Sequence, residues 1–401
     1  MAEWIECTLN DLGEIVGGAT PSTQREDYYG GDISWITPKD LSSLQGRYIS
    51  RGERNITKKG LASCSAQLMP PKTILFTSRA PIGYVAIAEQ TVCTNQGFKS
   101  IVPNAKVNPL FLYYLLVYNK EAIEAMGSGT TFKEVSGKAM RAVKVHIPSD
   151  MQSQIKIASL LDSIDSKIEA NAKLNDNLYH LLSLSFKNDY WDKAIDHPEW
   201  IMTTLDETTS RFGTGLNPRK NFVLGHGNNY YVTIKNMGNN RIYLDERCDK
   251  IDDEAIRRIQ MRSDLKVGDL LFSGIGTIGR VFLIDKPATN WNTSESVFNL
   301  RPNAKVSSEF LYLLLLNNDM QDYAINLASG SVQKGIRMAD LKKYSFFLPT
   351  LDVIKRLTSL WKPLIKQIKA NEVESDSLAV LRDTLLPKLM SGEIDVSAVQ
   401  P

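Results

Sequence analysis

Gly274-Ile-Gly276-Thr-Ile-Gly279 is the sharpest chemical pattern in the chain, a G-x-G-x-x-G that follows Phe272. Between a strand and a helix, such a run would carry backbone N–H groups up to a nucleotide or to S-adenosylmethionine. Here Arg280 to Ile284 is β-branched and aromatic, which predicts a second strand and therefore a tight strand–strand turn. The Asp/Asn-Pro-Pro-Tyr tetrapeptide that amino-group methylation needs is absent, and Met69-Pro-Pro-Lys72 reads as a loop. His146, His180, His197 and His226 show no ligand spacing, and there is no P-loop, Gly-x-Ser-x-Gly or His-Glu-x-x-His. Cys7, Cys64, Cys93 and Cys248 lie far apart, so neither a disulfide framework nor a zinc site is expected. The sequence reads as non-catalytic, with no catalytic residue and no metal ligand.

What the chain does carry is a set of polar and basic loops at matching places in its two halves. Thr20, Ser22, Gln24 and Arg25 in the first loop are matched by Asn217, Arg219 and Lys220. Lys39 and Asp40, at the end of a strand, are matched by Lys235 and Asn236. Ser78 and Arg79 face Ser273, while Asn95 and Gln96 have a looser counterpart in residues 292–294. Thr277 and Lys334 complete the set. Asn and Gln pair bidentately with adenine and Arg with guanine, while Lys, Ser and Thr suit phosphates. A further run, Arg47, Arg51, Arg54, Lys58 and Lys59, faces only Glu53 and is expected to follow a nucleic-acid backbone. Each of these residues alone fits a solvated surface; their duplication favours DNA.

The elements that position these loops are themselves duplicated. EWIECTL (3–9) returns as EWIMTTL (199–205), and ILFTSRAPIGYVAI (74–87) as LLFSGIGTIGRVFL (270–283). VPNAKVNPLFLYYLL (102–116) returns as RPNAKVSSEFLYLLL (301–315). Within a unit, Trp-led strands open the domain, short β-rich runs follow, and a leucine-rich helix (109–118, 308–317) comes next. A Gly-Ser-Gly-Thr loop (127–130), echoed by Ser-Gly-Ser (329–331), precedes the last strand. Each domain then leads into a long helix with an apolar seam at steps of three and four. The first seam holds Ile157, Leu161, Ile164, Ile168, Leu178 and Leu182; the second holds Ile354, Leu357, Trp361, Leu364, Ile368, Leu378 and Leu385. Ser149 with Gln152 has capping-box spacing, Pro363 predicts a kink or late start, and Gly392 suits a helix stop. Paired antiparallel, the seams bring their midpoints together. Asn171 and Asn371 would then face each other and fix the register, as polar seam residues do.

The 401 residues, 43% of them hydrophobic, suffice for more than one core, and the net charge of +2 permits nucleic-acid binding without requiring it. The longest apolar runs, 111–118 and 310–316, are too short to cross a bilayer, and the start lacks a signal-type region. A cytoplasmic protein without membrane contact is expected. Gly18-Ala-Thr-Pro-Ser22, Gly31-Asp-Ile-Ser-Trp-Ile-Thr37, Thr77-Ser-Arg-Ala-Pro-Ile-Gly83 and Thr94-Asn-Gln-Gly-Phe98 stand out within this frame. With Ile147-Pro-Ser and Gln154-Ile-Lys-Ile-Ala158, they make the whole chain resemble the specificity subunits of type I restriction–modification systems. The second half departs more, having Leu216-Asn-Pro and lacking the Asn-Gln-Gly-Phe element.

The resemblance implies an α+β fold: two repeated mixed α/β target-recognition domains separated by two long antiparallel coiled-coil helices with pseudo-twofold symmetry. The domains are then 1–150 and 198–350, and the helices 151–190 and 351–392. It implies a non-catalytic, sequence-specific subunit for double-stranded DNA, each domain reading one half of a bipartite asymmetric site. Two methyltransferase subunits would dock on the helices and two restriction/translocase subunits would join them. S-adenosylmethionine, ATP and Mg would sit on those partners and no cofactor on this chain. Two rival readings are an adenine methyltransferase-like enzyme using the 274–279 glycine turn, and a coiled-coil scaffold without a DNA role.

Overall fold

The computed structural model describes residues 3–79, 81–129, 133–238, 240–330 and 334–397. Ala80, Thr130 and Ser331, which belong to motifs quoted above, lie outside these. The chain divides into two units: residues up to Lys173 together with those from Asn371 on, and Leu174–Ala370.

In the first unit, the strand Trp4–Thr8 pairs antiparallel with Lys144–Pro148, so the start and end of the domain meet beside the long helix. A five-stranded sheet follows the order Gly13–Gly17, Lys99–Pro103, Ile74–Phe76, Val85–Ala88, Tyr48–Ile49. A three-stranded sheet places Tyr29–Ile36 between Asn55–Ile56 and Val92–Thr94, parallel to the latter. The helix Pro109–Tyr118 buries Phe111, Leu112, Tyr114, Leu115 and Leu116, which accounts for its run of leucine and aromatic residues. It packs in one apolar cluster with Ile157, Ala158 and Leu161 of the first long helix and Leu386, Leu389 and Met390 of the second.

The second unit repeats this plan. Ile201–Thr204 pairs with Ser345–Leu348, and a four-stranded sheet runs Thr209–Thr214, Val297–Pro302, Leu270–Ser273, Val281–Leu283. Asn229–Val232 lies between Asp249–Ile251 and Trp291–Thr293, again parallel to the latter. Its core is aromatic: Phe186, Tyr190, Trp200, Phe310 and Trp361 share one buried cluster. The fold is α+β, with two repeated mixed domains and two long helices.

The long helices are Met151–Asp189 and Leu351–Met390. Their antiparallel sense is explicit within each unit. In the first, Lys167 meets Glu374, Asp165 meets Arg382 and Lys156 meets the Ser397 carbonyl. In the second, Asn175 donates to the Ile368 carbonyl and Trp361 to the Ser185 hydroxyl. Asn171 and Asn371 are both buried, but Asn171 does not reach the other amide as its acceptor. Its Nδ2 donates to Glu374 Oε2 at 2.8 Å, to Ser375 Oγ at 3.3 Å and to the backbone carbonyl of Asn371 at 3.5 Å. A carboxylate one turn along is the stronger acceptor, and it takes the amide.

Two helix-end expectations change. Asp150, not Ser149, caps the first long helix, its Oδ1 accepting the Ser153 N–H at 2.7 Å. The second helix already begins at Leu351 and is unbroken through Pro363, so there is no late start. Gly392, at φ +77°, ends that helix in the left-handed region that glycine adopts without strain.

Candidate nucleic-acid interface

Four loops remote in sequence meet around the turn 94–97 of the first unit. Gly18 lies so close to this turn that an added Cβ would stand 2.0 Å from the Asn95 carbonyl oxygen, which seats the loop 18–25 on it. The Thr20 hydroxyl then bonds the Gln96 side chain. Gly97 packs against Pro38, which starts the short helix carrying Lys39, and the Gly97 carbonyl accepts the Ser78 N–H at 2.7 Å. The Ser78 carbonyl in turn accepts the Val135 N–H at 3.0 Å, joining Val135 and the neighbouring Glu134 to the same ring.

The second unit builds the same ring around residues 293–296. Gly215 approaches Thr293, the Gly274 N–H donates to the Ser296 carbonyl, and the Gly276 N–H to the Lys334 carbonyl.

The ring's side chains divide into two kinds. Ser22, Gln24, Arg25, Lys39 and Gln96 are exposed, as are Arg219, Lys220, Lys235, Thr277 and Lys334. Thr20, Arg79, Asn95 and Asn217 are half-buried. Asp40, Asn236 and Ser273 instead hold the backbone. Asp40 accepts the Thr37 N–H at 2.7 Å, the Thr37 hydroxyl at 2.6 Å and the Glu53 N–H at 2.7 Å. Asn236, buried at 1% exposure, accepts the Thr233 N–H and hydroxyl at 2.9 Å and donates to the Arg247 carbonyl at 3.0 Å. Each completes a capping box with its N-cap residue, Thr37 or Thr233. Ser78 is fully buried, and Ser273, also buried, accepts the Arg280 N–H at 2.8 Å.

The register between repeats also shifts from its sequence expectation. Thr77 accepts the Tyr84 N–H just as Ser273 accepts that of Arg280, so Thr77, not Ser78, is the mate of Ser273. Arg79 and Ile275 then correspond, and each bridges the loop that returns to the ring, at Glu134 and Gly335. Likewise the Asn95 and Ser294 N–H groups both donate to the last carbonyl of the neighbouring parallel strand, so Asn95-Gln96 corresponds to Ser294-Glu295. The residues 292–294 expected as counterpart start two places early.

Charge at the ring is partly neutralised. Arg25 forms a double hydrogen bond with Asp27, which holds the Asp27 carboxyl below its usual pKa, and Lys39 pairs with Glu53 at 2.6 Å. Arg79 at 3.9 Å and Lys99 at 3.2 Å share the single carboxylate of Glu134, leaving one positive charge uncompensated there. Glu134, Lys99 and Asp27 were not singled out from the sequence. Only the alternation of charge near the basic residues points to them.

Arg47 leaves the proposed basic run altogether. It is 4% exposed and donates to Asp162 Oδ1 at 2.6 Å, Glu169 Oε1 at 3.0 Å, Tyr114 Oη at 2.8 Å and Ser166 Oγ at 3.0 Å. Burial opposes its charge, but the hydrogen bond to Glu169 and the Glu169 and Asp162 charges outweigh that and raise its pKa. Arg47 anchors the domain to the long helix. Arg51 and Arg54 stay exposed, Arg54 lying over the Tyr29 ring at 4.3 Å.

The glycine run 274–279 joins two strands that pair antiparallel, Leu270–Ser273 and Val281–Leu283, with Gly276 and Gly279 at positive φ. No helix follows it, so it lacks the strand–loop–helix frame of a nucleotide cradle. Among the described residues no group of three or more His, Cys, Asp or Glu could hold a metal ion. No described helix is long and apolar enough to cross a membrane.

Repeated sheets, long helices and paired loop rings together define a class. Residues 1–180 and 212–376 match the family of the type I restriction modification DNA specificity domain, and the chain belongs to that family. Among its relatives is the type I restriction enzyme MjaIX specificity subunit of Methanocaldococcus jannaschii, 32% identical over 414 aligned positions, covering 98% of this chain and 94% of that one. The HindI specificity subunit of Haemophilus influenzae is 23% identical, covering 98% and 100%. Among solved structures, the S subunit of a type I restriction–modification system from M. genitalium shares the fold, with a TM-score of 0.63 at 18% identity over 97% of this chain and 96% of that one.

Proposed function

We propose that this chain is the DNA-reading specificity subunit of a type I restriction–modification complex. Domains 1–150 and 198–350 each read one half of a bipartite, asymmetric site in double-stranded DNA. The helices 151–190 and 351–392 dock two methyltransferase subunits, and two restriction/translocase subunits join for cleavage. The chain contributes recognition and no catalytic residue. S-adenosylmethionine, ATP and Mg belong to the partner subunits, and the complex works in the cytoplasm.

The observation that carries this reading is the pair of loop rings, alike in backbone and different in side chains. Asn95, Gln96 and Arg79 in one ring stand where Ser294, Glu295 and Ile275 stand in the other. Side chains that differ on a shared backbone frame suit two different base sequences, because base edges are read by side-chain donors and acceptors. The readers on this proposal are Thr20, Ser22, Gln24, Arg25, Lys39, Arg79, Asn95 and Gln96 in the first domain. Asn217, Arg219, Lys220, Lys235, Thr277 and Lys334 serve in the second.

Mapping methylated adenines in genomes of strains with and without this gene tests the reading. One bipartite motif should vanish with the gene. Replacing residues 1–150 by the equivalent domain of a relative should change one half of that motif and keep the other. A motif that persists without the gene, or changes in both halves on one exchange, would overturn it.

A further inference from the structure

At one place the two repeats are built from opposite chemistry. In the first unit, buried Arg47 meets Asp162, Glu169 and Tyr114, and the Tyr114 hydroxyl donates to Asp165 Oδ2 at 2.7 Å. Arg382, from the second long helix, donates to Asp165 Oδ1 at 2.8 Å. The network thus ties the domain, its short helix and both long helices together.

In the second unit, the positions 200 places away along the helices hold Ile365 for Asp165 and Leu182 for Arg382. The position 199 places on from Tyr114 holds Leu313. All three lie buried in one apolar cluster. Asp162 and Glu169 become Lys362 and Lys369, whose amines meet Glu309 at 3.5 Å and the Asn240 carbonyl at 3.0 Å.

A buried ionic network is weak evidence of added stability. Apolar replacement of a buried ion network is commonly neutral or stabilising, whereas removing one partner is strongly destabilising. Duplicated domains on duplicated helices face a hazard that a single domain does not. Either domain could settle on either helix pair, in its own chain or in a second copy. Set on the other helix stretch, the first domain would bring Arg47 against Lys362 and Lys369, and the Tyr114 hydroxyl against Ile365 and Leu182. Set on the first stretch, the second domain would lay Leu313 against the Asp165–Arg382 pair, leaving Asp165 without the Tyr114 hydroxyl and Asp162 and Glu169 without Arg47.

We propose that Arg47, Tyr114, Asp165 and Arg382 form a lock that admits the first domain only to its own helix stretch, and that Leu182, Leu313, Ile365, Lys362 and Lys369 form the complementary lock for the second. The order of the two domains is thereby fixed. Its consequence for DNA, the fixed order of the half-sites, rests on the recognition reading above; the lock itself does not.

The test is a full-length chain in which a second copy of residues 9–143 replaces 205–344. That chain is compared with one also carrying Leu182→Arg, Lys362→Asp, Ile365→Asp and Lys369→Glu. The duplicated domain on unmodified helices should melt about 6–20 °C below the same domain on the changed helices. Equal melting of the two chains overturns the proposal. Should neither chain fold, the natural chain decides. Asp165→Ile alone should lower its melting temperature over that same range. Arg47→Leu, Tyr114→Leu, Asp165→Ile and Arg382→Leu together should restore it but yield dimers by size-exclusion chromatography, through mis-docked domains. A restored chain that stays monomeric also overturns the lock. If the changed helices restore melting yet the reconstituted complex does not methylate a motif carrying the first half-site twice, the lock stands and the recognition reading fails.

Discussion

Asp40 and Asn236 look alike as DNA readers in the sequence, yet the structure gives each a backbone task of opposite polarity. Asp40 faces three donors, the Thr37 N–H and hydroxyl and the Glu53 N–H. Asn236 faces two donors and one acceptor, the Arg247 carbonyl. Asp40→Ala removes a helix cap, about 1 kcal/mol, and leaves the Glu53 N–H without its acceptor, about another 1 kcal/mol near the surface. The first domain should therefore lose about 2 kcal/mol and melt about 4–8 °C lower. Asp40→Asn keeps the cap oxygen but turns an amide donor toward the Glu53 N–H, so about half of that loss should remain. Asn236→Asp should cost more, about 2–3 kcal/mol, because it buries a carboxylate against a carbonyl oxygen. Thermal unfolding of each variant measures these losses, and methylome mapping reads the motif. A structural Asp40 predicts reduced stability with both half-sequences intact. An Asp40→Asn protein of unchanged stability whose first half-site is altered would refute the reasoning, because Asp accepts from cytosine and Asn pairs with adenine.

Further outcomes follow from the same geometry. Arg79→Ala should weaken or relax only the first half-site, by about 1–3 kcal/mol if the guanidinium meets a guanine, since the second ring has Ile275 there; competition binding against half-site variants checks this, and equal loss at both halves would count against it. The Glu374 carboxyl is held below its usual 4.5 by the Asn171 amide and then by Lys167. Its folded pKa is depressed, so this contribution is present above about pH 4.5 and is lost as pH falls through the lowered value; Asn171→Leu should flatten that acid limb in unfolding curves. Burial pushes the Cys93 thiol up to about 12 and the Cys248 thiol up to about 11. A thiol reagent at pH 7 should therefore spare both in the native protein and modify all four cysteines in denaturant, and rapid native modification of Cys93 would contradict the burial.

The large features were legible because they are periodic. Steps of three and four mark the seams, and the recurrence of Val-Pro-Asn-Ala-Lys-Val as Arg-Pro-Asn-Ala-Lys-Val marks the repeat. The failures share a cause, in that partners remote in sequence decide what a polar residue does. Arg47 reads as one member of a basic run, but its acceptors stand 67 to 122 places on. The spacing of Asp162, Asp165 and Glu169, at steps of three and four, did announce an acidic stripe on the helix face that receives it. Short polar side chains at strand ends, such as Asp40 and Asn236, suit capping and recognition equally, so the sequence does not show the backbone bonds they make. The offset drifts between strands, so hydrogen-bond register is needed to set Asn95 against Ser294, whereas the aligned runs 74–87 and 270–283 already set Thr77 against Ser273.

That corrected register bears on the asymmetry of the proposed target. Under the sequence pairing, Ser78-Arg79 and Ser273 looked like partial equivalents. Once Arg79 is set against Ile275, and Gln96 against Glu295, the two rings differ in charge as well as in shape. A glutamine amide both donates and accepts and so matches adenine, while a carboxylate only accepts and so matches the amino group of cytosine. An arginine selects guanine and an isoleucine offers only apolar contact, of the sort a thymine methyl accepts. Two rings that present these pairs on one backbone frame do not share a preferred base at either position. On the proposed reading the two half-sites are then unequal in sequence, and the order of the domains along the chain carries information. A chain with such rings needs a means of holding that order, and the opposed ionic and apolar contacts beneath the two domains supply one.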